Sequence, residues 1–165
     1  MQRFFPYLTF GLFLLLLGCG YHFSASAPIT LPRGIVSIHI QEVDNPTLEA
    51  WIDPYLRSRF RDEFTRRAQV DWVDAEHAEA HVVLRIISYS TDTELSGAQD
   101  QTLRERATII LETEFRNAVD GSRIWSSGHI SEYETFEVGT NEIAAGERAI
   151  ENAIRRTADL LGADY

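Results

Sequence analysis

His77 and His81 stand four residues apart, with Asp74, Glu76 and Glu79 beside them. On a helix that spacing puts two imidazoles on one face, where they can hold zinc. The metalloprotease pattern needs a Glu directly after the first His, and Ala78 occupies that place. Ala80-His81-Val82-Val83 also reads as a strand, which turns the two rings apart. The pair fits a strand entrance better than a metal centre, and no metal or cofactor is expected. No nucleophile elbow, phosphate loop or zincin pattern occurs, so no catalytic residue is expected either. Arginine is the other candidate, because its fork matches phosphate. Arg57, Arg59, Arg61, Arg66 and Arg67 crowd one segment, but Asp53–Arg57, Asp62–Arg66 and Glu63–Arg67 are acid-first i,i+4 pairs. Those read as a solvated, ion-paired helix face. Arg104 and Arg106 have only Glu105 beside them and share one face of a strand. They are the candidate ligand-binding residues for an anion.

The remaining reactive side chain is Cys19, the one cysteine of the chain. A lone cysteine makes no internal disulfide, and as a free thiol it is a liability in an oxidising compartment. Its setting explains it. Arg3 precedes an apolar run from Phe4 to Leu17, too short to span a bilayer comfortably. Leu16-Leu17-Gly18-Cys19 closes the run and resembles the lipobox of bacterial lipoproteins. That resemblance implies a lipoprotein signal peptide over 1–18, removed in the mature chain, and acylation of Cys19. Several acyl chains anchor stably, at about 0.8 kcal/mol per buried CH₂. Lipoproteins retained at the inner membrane often carry Asp after the cysteine; Gly20 points instead to the outer membrane.

The elements that position these residues follow from pattern. Residues 19–32 form the lipidated N-terminus and a Ser/Ala/Pro-rich tether, leaving 33–165 as one domain of ordinary size. Ile35 to Ile40 alternates as a strand, and Asp44-Asn45-Pro46-Thr47 breaks it. Trp51, Tyr55, Leu56, Phe60 and Phe64 form a helical stripe. Val70 to Val73 is a short strand, Ala80 to Thr93 and Thr102 to Val119 are long ones, and Leu95 to Gln101 is the loop between them. Asp120-Gly121 turns the chain into one further strand, Arg123 to Val138. Asn141 to Leu161 is a second helix, with Ile143, Ile150, Ile154 and Leu161 on its apolar face and Gly162 as its stop. The expected class is α+β: a single domain with two helices on one face of a small mixed, mostly antiparallel sheet, in the order β-α-β-β-β-β-α. The chain is acidic, with 25 Asp+Glu against 15 Lys+Arg, and every one of those cations is arginine. Nucleic acid is therefore not an expected partner.

Four segments in order resemble the LptE family of lipopolysaccharide-assembly lipoproteins. They are Gly18-Cys19-Gly20-Tyr21-His22-Phe23; Leu31-Pro32-Arg33-Gly34-Ile35 running on to Asn45-Pro46-Thr47; Ala78-Glu79-Ala80 before the Val82–Tyr89 strand; and Asp120-Gly121 before Ile124-Trp125. The match spans nearly all of 18–161. The resemblance implies a non-enzymatic, periplasm-facing outer-membrane lipoprotein. It would be seated inside an LptD-type β-barrel and would help lipopolysaccharide reach the outer surface. The residues themselves also allow an accessory lipoprotein of another envelope complex, such as a cell-wall synthase or a secretion system.

Overall fold

The computed structural model describes residues 28–96 and 102–164. The elements are β1 (Ser37–Asp44), α1 (Ile52–Arg67), β2 (Asp71–Trp72), β3 (Ala80–Ser96), β4 (Thr102–Asn117), β5 (Arg123–Ser126), β6 (Ile130–Glu137) and α2 (Glu142–Asp164). They build one six-stranded sheet in the order β2-β1-β3-β4-β5, with β6 also paired to β4. The two pairings made by β1 are parallel and the rest antiparallel. This is the expected α+β domain, its mixed sheet curled as a half-barrel.

Both helices bury their apolar stripes against one face of the sheet. Ile52, Leu56, Phe60 and Phe64 of α1 and Ile150, Ile154 and Leu161 of α2 join Ile38, Val82, Leu84, Ile109, Leu111 and Phe115 in one core. Phe60 stacks on Phe64 with ring centroids 4.1 Å apart, and an aromatic chain continues through Phe115 to Trp125. Trp51 and Tyr55 are only half-buried at the rim of that stripe. Asn141 caps α2, its Oδ1 accepting the Ala144 N–H at 3.2 Å. Gly162 does not stop the helix, which continues to Asp164. It serves instead as a seat for Ile29, whose Cγ2 would lie 2.8 Å from any β-carbon added there. Ile143 is not on the buried face either; it stands half exposed in the first turn. Pro28 to Pro32, read above as tether, is packed on the domain: Ile29 and Leu31 are in the core, and the Ile29 N–H donates to the Arg67 carbonyl at 2.9 Å.

Two irregularities redirect side chains. Ile86 pairs with Leu111 and Ser88 with Ile110, so Ile87 is an extra residue in β3. One inserted residue exchanges the two faces of a strand. Tyr89, grouped by strict alternation with His81, Val83 and Arg85, therefore packs on the core opposite Ile109. The single strand expected over Arg123–Val138 is divided into β5 and β6, which share one edge of β4. Gly128 has φ +62°, a conformation that ordinary side chains disfavour. Beside it Ser127 exchanges 2.9 Å hydrogen bonds with the Thr113 backbone. Across this break the buried side switches from odd to even positions, from Trp125 to Ile130 and Phe136.

Candidate functional site

On β4, Ala107, Ile109, Leu111 and Phe115 are fully buried on the helix side. Arg104, Arg106, Thr108, Ile110, Glu112, Glu114 and Arg116 alternate with them and line the face without helices. That face is bound together by charge. Arg85 pairs with Asp44 at 3.5 Å and with Glu112 at 2.9 Å, and Glu112 also accepts from Ser126 Oγ at 3.1 Å. Glu114 pairs with Arg116 and, at 3.7 Å, with Arg123. Burial pushes the Glu114 carboxyl up, but the hydrogen bond from Arg116 and the charges of Arg116, Arg85 and Arg123 outweigh it. The net result lies below the usual carboxylate range.

Arg104 and Arg106 lie together on this face, as their spacing requires, near the far end of the β3–β4 hairpin. Their surroundings differ. Arg106 ion-pairs with Glu94 and sits 4.5 Å over the Tyr133 ring. Its Nε is enclosed without a hydrogen-bond partner. Arg104 is exposed, lies opposite Leu95 and Glu137, and has no ion pair among the described residues. Glu94 and Tyr133 were missed in the sequence because they come from β3 and β6. Only the cross-strand register brings them to Arg106, and nothing local to residues 104–106 signals it. The loop tip, 97–101, lies outside the described residues, as does Cys19.

The arginines of α1 are paired largely as read, with one exchange. Asp53–Arg57 stands at 3.8 Å and Glu63–Arg67 at 3.4 Å. Asp62, however, takes Arg59 at 3.5 Å, and Arg66 goes to Glu63. Arg67 is buried and reaches Asp159 of α2 at 2.8 Å, tying the two helices together. Arg61 has no carboxylate partner among the described residues; its guanidinium lies 5.0 Å over the Trp72 ring. The two histidines are not brought together. His77 is exposed in a 3-10 turn, and the His81 ring meets the Ala75 carbonyl at 3.1 Å. No group of three or more metal-ligating side chains occurs among the described residues.

A family model for LptE, lipopolysaccharide assembly, matches residues 35–163. The chain belongs to the LptE family. Members of the LptE family are non-enzymatic accessory proteins of lipopolysaccharide assembly. The fold is similar to that of the uncharacterized lipoprotein B of Nitrosomonas europaea, at 12% identity and a TM-score of 0.57 over 89% of this chain and 92% of that one. It is also similar to a hypothetical protein of Chlamydia trachomatis, at 10% identity and a TM-score of 0.51 over 78% and 99%. Such identities speak for the fold alone. No curated protein sequence matches the chain.

The described segments that carry the LptE resemblance have structural work. Asn45 Oδ1 accepts the Thr47 N–H and hydroxyl at 3.1 and 2.7 Å, closing the turn between β1 and α1. Glu79 accepts the Val36 and Ser37 N–H groups at 2.8 and 3.1 Å, joining the entrances of β1 and β3. Asp120 accepts the Ser122 N–H at 2.9 Å, and Trp125 Nε1 donates to Asp164 at 2.8 Å.

Proposed function

We propose that this LptE-family chain is an outer-membrane lipoprotein, cut after residue 18 and acylated at Cys19. It faces the periplasm and sits within an LptD-type β-barrel, where it contacts lipopolysaccharide without altering it chemically. The observation that carries this reading is the family match over residues 35–163. The geometry agrees with it. Barrel interiors are polar and wet, and the helix-free sheet face is polar and charged. The described N-terminal segment packs beside the C-terminal ends of both helices, at Arg67 and Gly162. Arg104 lies near the opposite end of a 16-residue strand. At about 3.4 Å per residue that strand spans roughly 50 Å, so the arginines would stand well away from the anchored end. Arg104 has its fork available for a lipid phosphate, with Arg106 positioned beside it by Glu94 and Tyr133.

The test is purification of the chain at native expression from detergent-solubilised outer membranes, followed by lipopolysaccharide pull-down. The expected result is co-purification of a large β-barrel and capture of lipopolysaccharide. The Arg104→Ala/Arg106→Ala variant is expected to lose lipopolysaccharide and retain the barrel. Undiminished capture by that variant rejects the arginines. Purification with a different envelope complex, or with no barrel, rejects the subunit reading.

A further inference from the structure

A cavity of about 470 Å³ opens between α1, β1 and β2, lined by His39, Arg57, Arg61, Trp72, Asp74 and His77, with Ile40 and Val73 completing it. Its volume falls in the roughly 300–1,000 Å³ range of small-molecule sites. The topology makes it. β2 is two residues long, while β1 runs on to Asp44. After the Val73 N–H donates to the Ile38 carbonyl at 3.2 Å, the chain leaves the sheet for the 3-10 turn Ala75–His77. The next outward carbonyl of β1, that of Ile40, is left without a strand partner. Arg57 Nη1 supplies the missing donor at 3.0 Å.

We propose that this cavity is a binding site for a phosphate-type oxyanion. Arg57 and Arg61 are one helical turn apart and lie on the same face of α1. In a chain of net charge −10, carboxylates are abundant, and Arg57, Arg59, Arg66 and Arg67 each have one within 4 Å. Arg61 does not. It is held instead over the Trp72 indole, and the indole is fixed by its own 2.7 Å hydrogen bond to Thr65 Oγ1. A guanidinium stacked this way keeps its N–H fork for an oxyanion. Arg57 is oriented by a backbone carbonyl and only loosely by Asp53. The His39 Nδ1–H donates to the Val73 carbonyl at 2.9 Å, which fixes the ring in the cavity wall and leaves the anion to the two arginines. Asp74 is the one carboxylate of the lining, set against two permanent cations. The proposal concerns the β1 edge, away from Arg104 and Arg106 on β4, and does not rest on the barrel reading.

The test uses the full chain in neutral detergent micelles, followed by the Trp72 indole and Arg61 Nε resonances. Inorganic phosphate is titrated at constant ionic strength. In a parallel arm, phosphatidylglycerol is titrated into phosphatidylcholine bicelles. Saturable shifts of both resonances are expected in at least one arm. The phosphate arm marks a soluble phosphate group, and the phosphatidylglycerol arm alone marks a lipid headgroup. Arg61→Gln is expected to weaken binding at least tenfold, with unchanged Trp51 and Trp125 resonances reporting an intact fold. Arg156→Gln, at an exposed arginine of α2, is expected to bind as wild type. No saturable shift in either arm, or wild-type affinity in Arg61→Gln, overturns the proposal.

Discussion

Glu79 lies between two alanines, and its carboxylate binds backbone groups at the entrance of β1. Val36 stands just before β1 and Ser37 is its first residue, and Glu79 accepts the N–H groups of both. Those two bonds hold its carboxyl below the usual carboxylate range. A group whose folded value is depressed contributes stability that is fully present above its unfolded value, about 4.3, and is lost as pH falls through the folded value. The difference in urea midpoint between wild type and Glu79→Gln is therefore expected to be largest near pH 6 and to shrink as the pH drops below about 4. A difference independent of pH would mean that the charge plays no part. The same residue shows what was legible at this scale. The acid of the Ala78-Glu79-Ala80 segment stands out in the sequence, yet its partners lie 43 and 42 positions away and are backbone groups. Arg106 repeats the lesson in the candidate site: its position on a shared face with Arg104 follows from counting by twos, whereas Glu94 and Tyr133 come from neighbouring strands.

Helix and strand identities were readable wherever the apolar period was unbroken. α1 shows its buried face as Leu56, Phe60 and Phe64 at four-residue steps, and β4 shows its own as Ile109, Leu111, Thr113 and Phe115. The reading failed where one residue was added. Ile87 in β3 and the Ser127–His129 break each shift the period by a residue, and no local composition separates such a bulge from a regular strand. Phe64→Ala removes a fully buried ring that touches both Phe60 and Phe115. It is expected to cost about 3–5 kcal/mol in urea unfolding; an unchanged midpoint would contradict the placement of α1. The approach of α2 to the sheet sets a second expectation. A β-carbon at Gly146 would lie 2.6 Å from the Tyr89 hydroxyl and 2.9 Å from the Trp51 ring. Gly146→Ala is therefore expected to destabilise by about 1–3 kcal/mol, although alanine is ordinarily the better helix former. Tyr89→Phe in the same chain is expected to restore part of the loss by removing the nearest atom.

For the molecule as a whole, the expected mature chain begins at Cys19 with acyl groups on it. Intact mass of material extracted from membranes is expected to show that start and that added mass, and Cys19→Ala is expected to leave the membrane fraction. A mature chain beginning elsewhere would reject both. Among the described residues no helix is long and apolar enough to cross a membrane. The placement of the three indoles gives this chain a built-in set of optical reporters. Trp51 packs on Tyr89 beside Gly146, Trp72 lies under Arg61 at the open edge of β1, and Trp125 is buried and bonded to Asp164 beside the end of α2. Chains retaining one tryptophan each would thus emit from three separate districts of the domain. Quenching and polarity shifts would then tell which district a barrel, a phosphate or a lipid surface has reached, without any dye being attached.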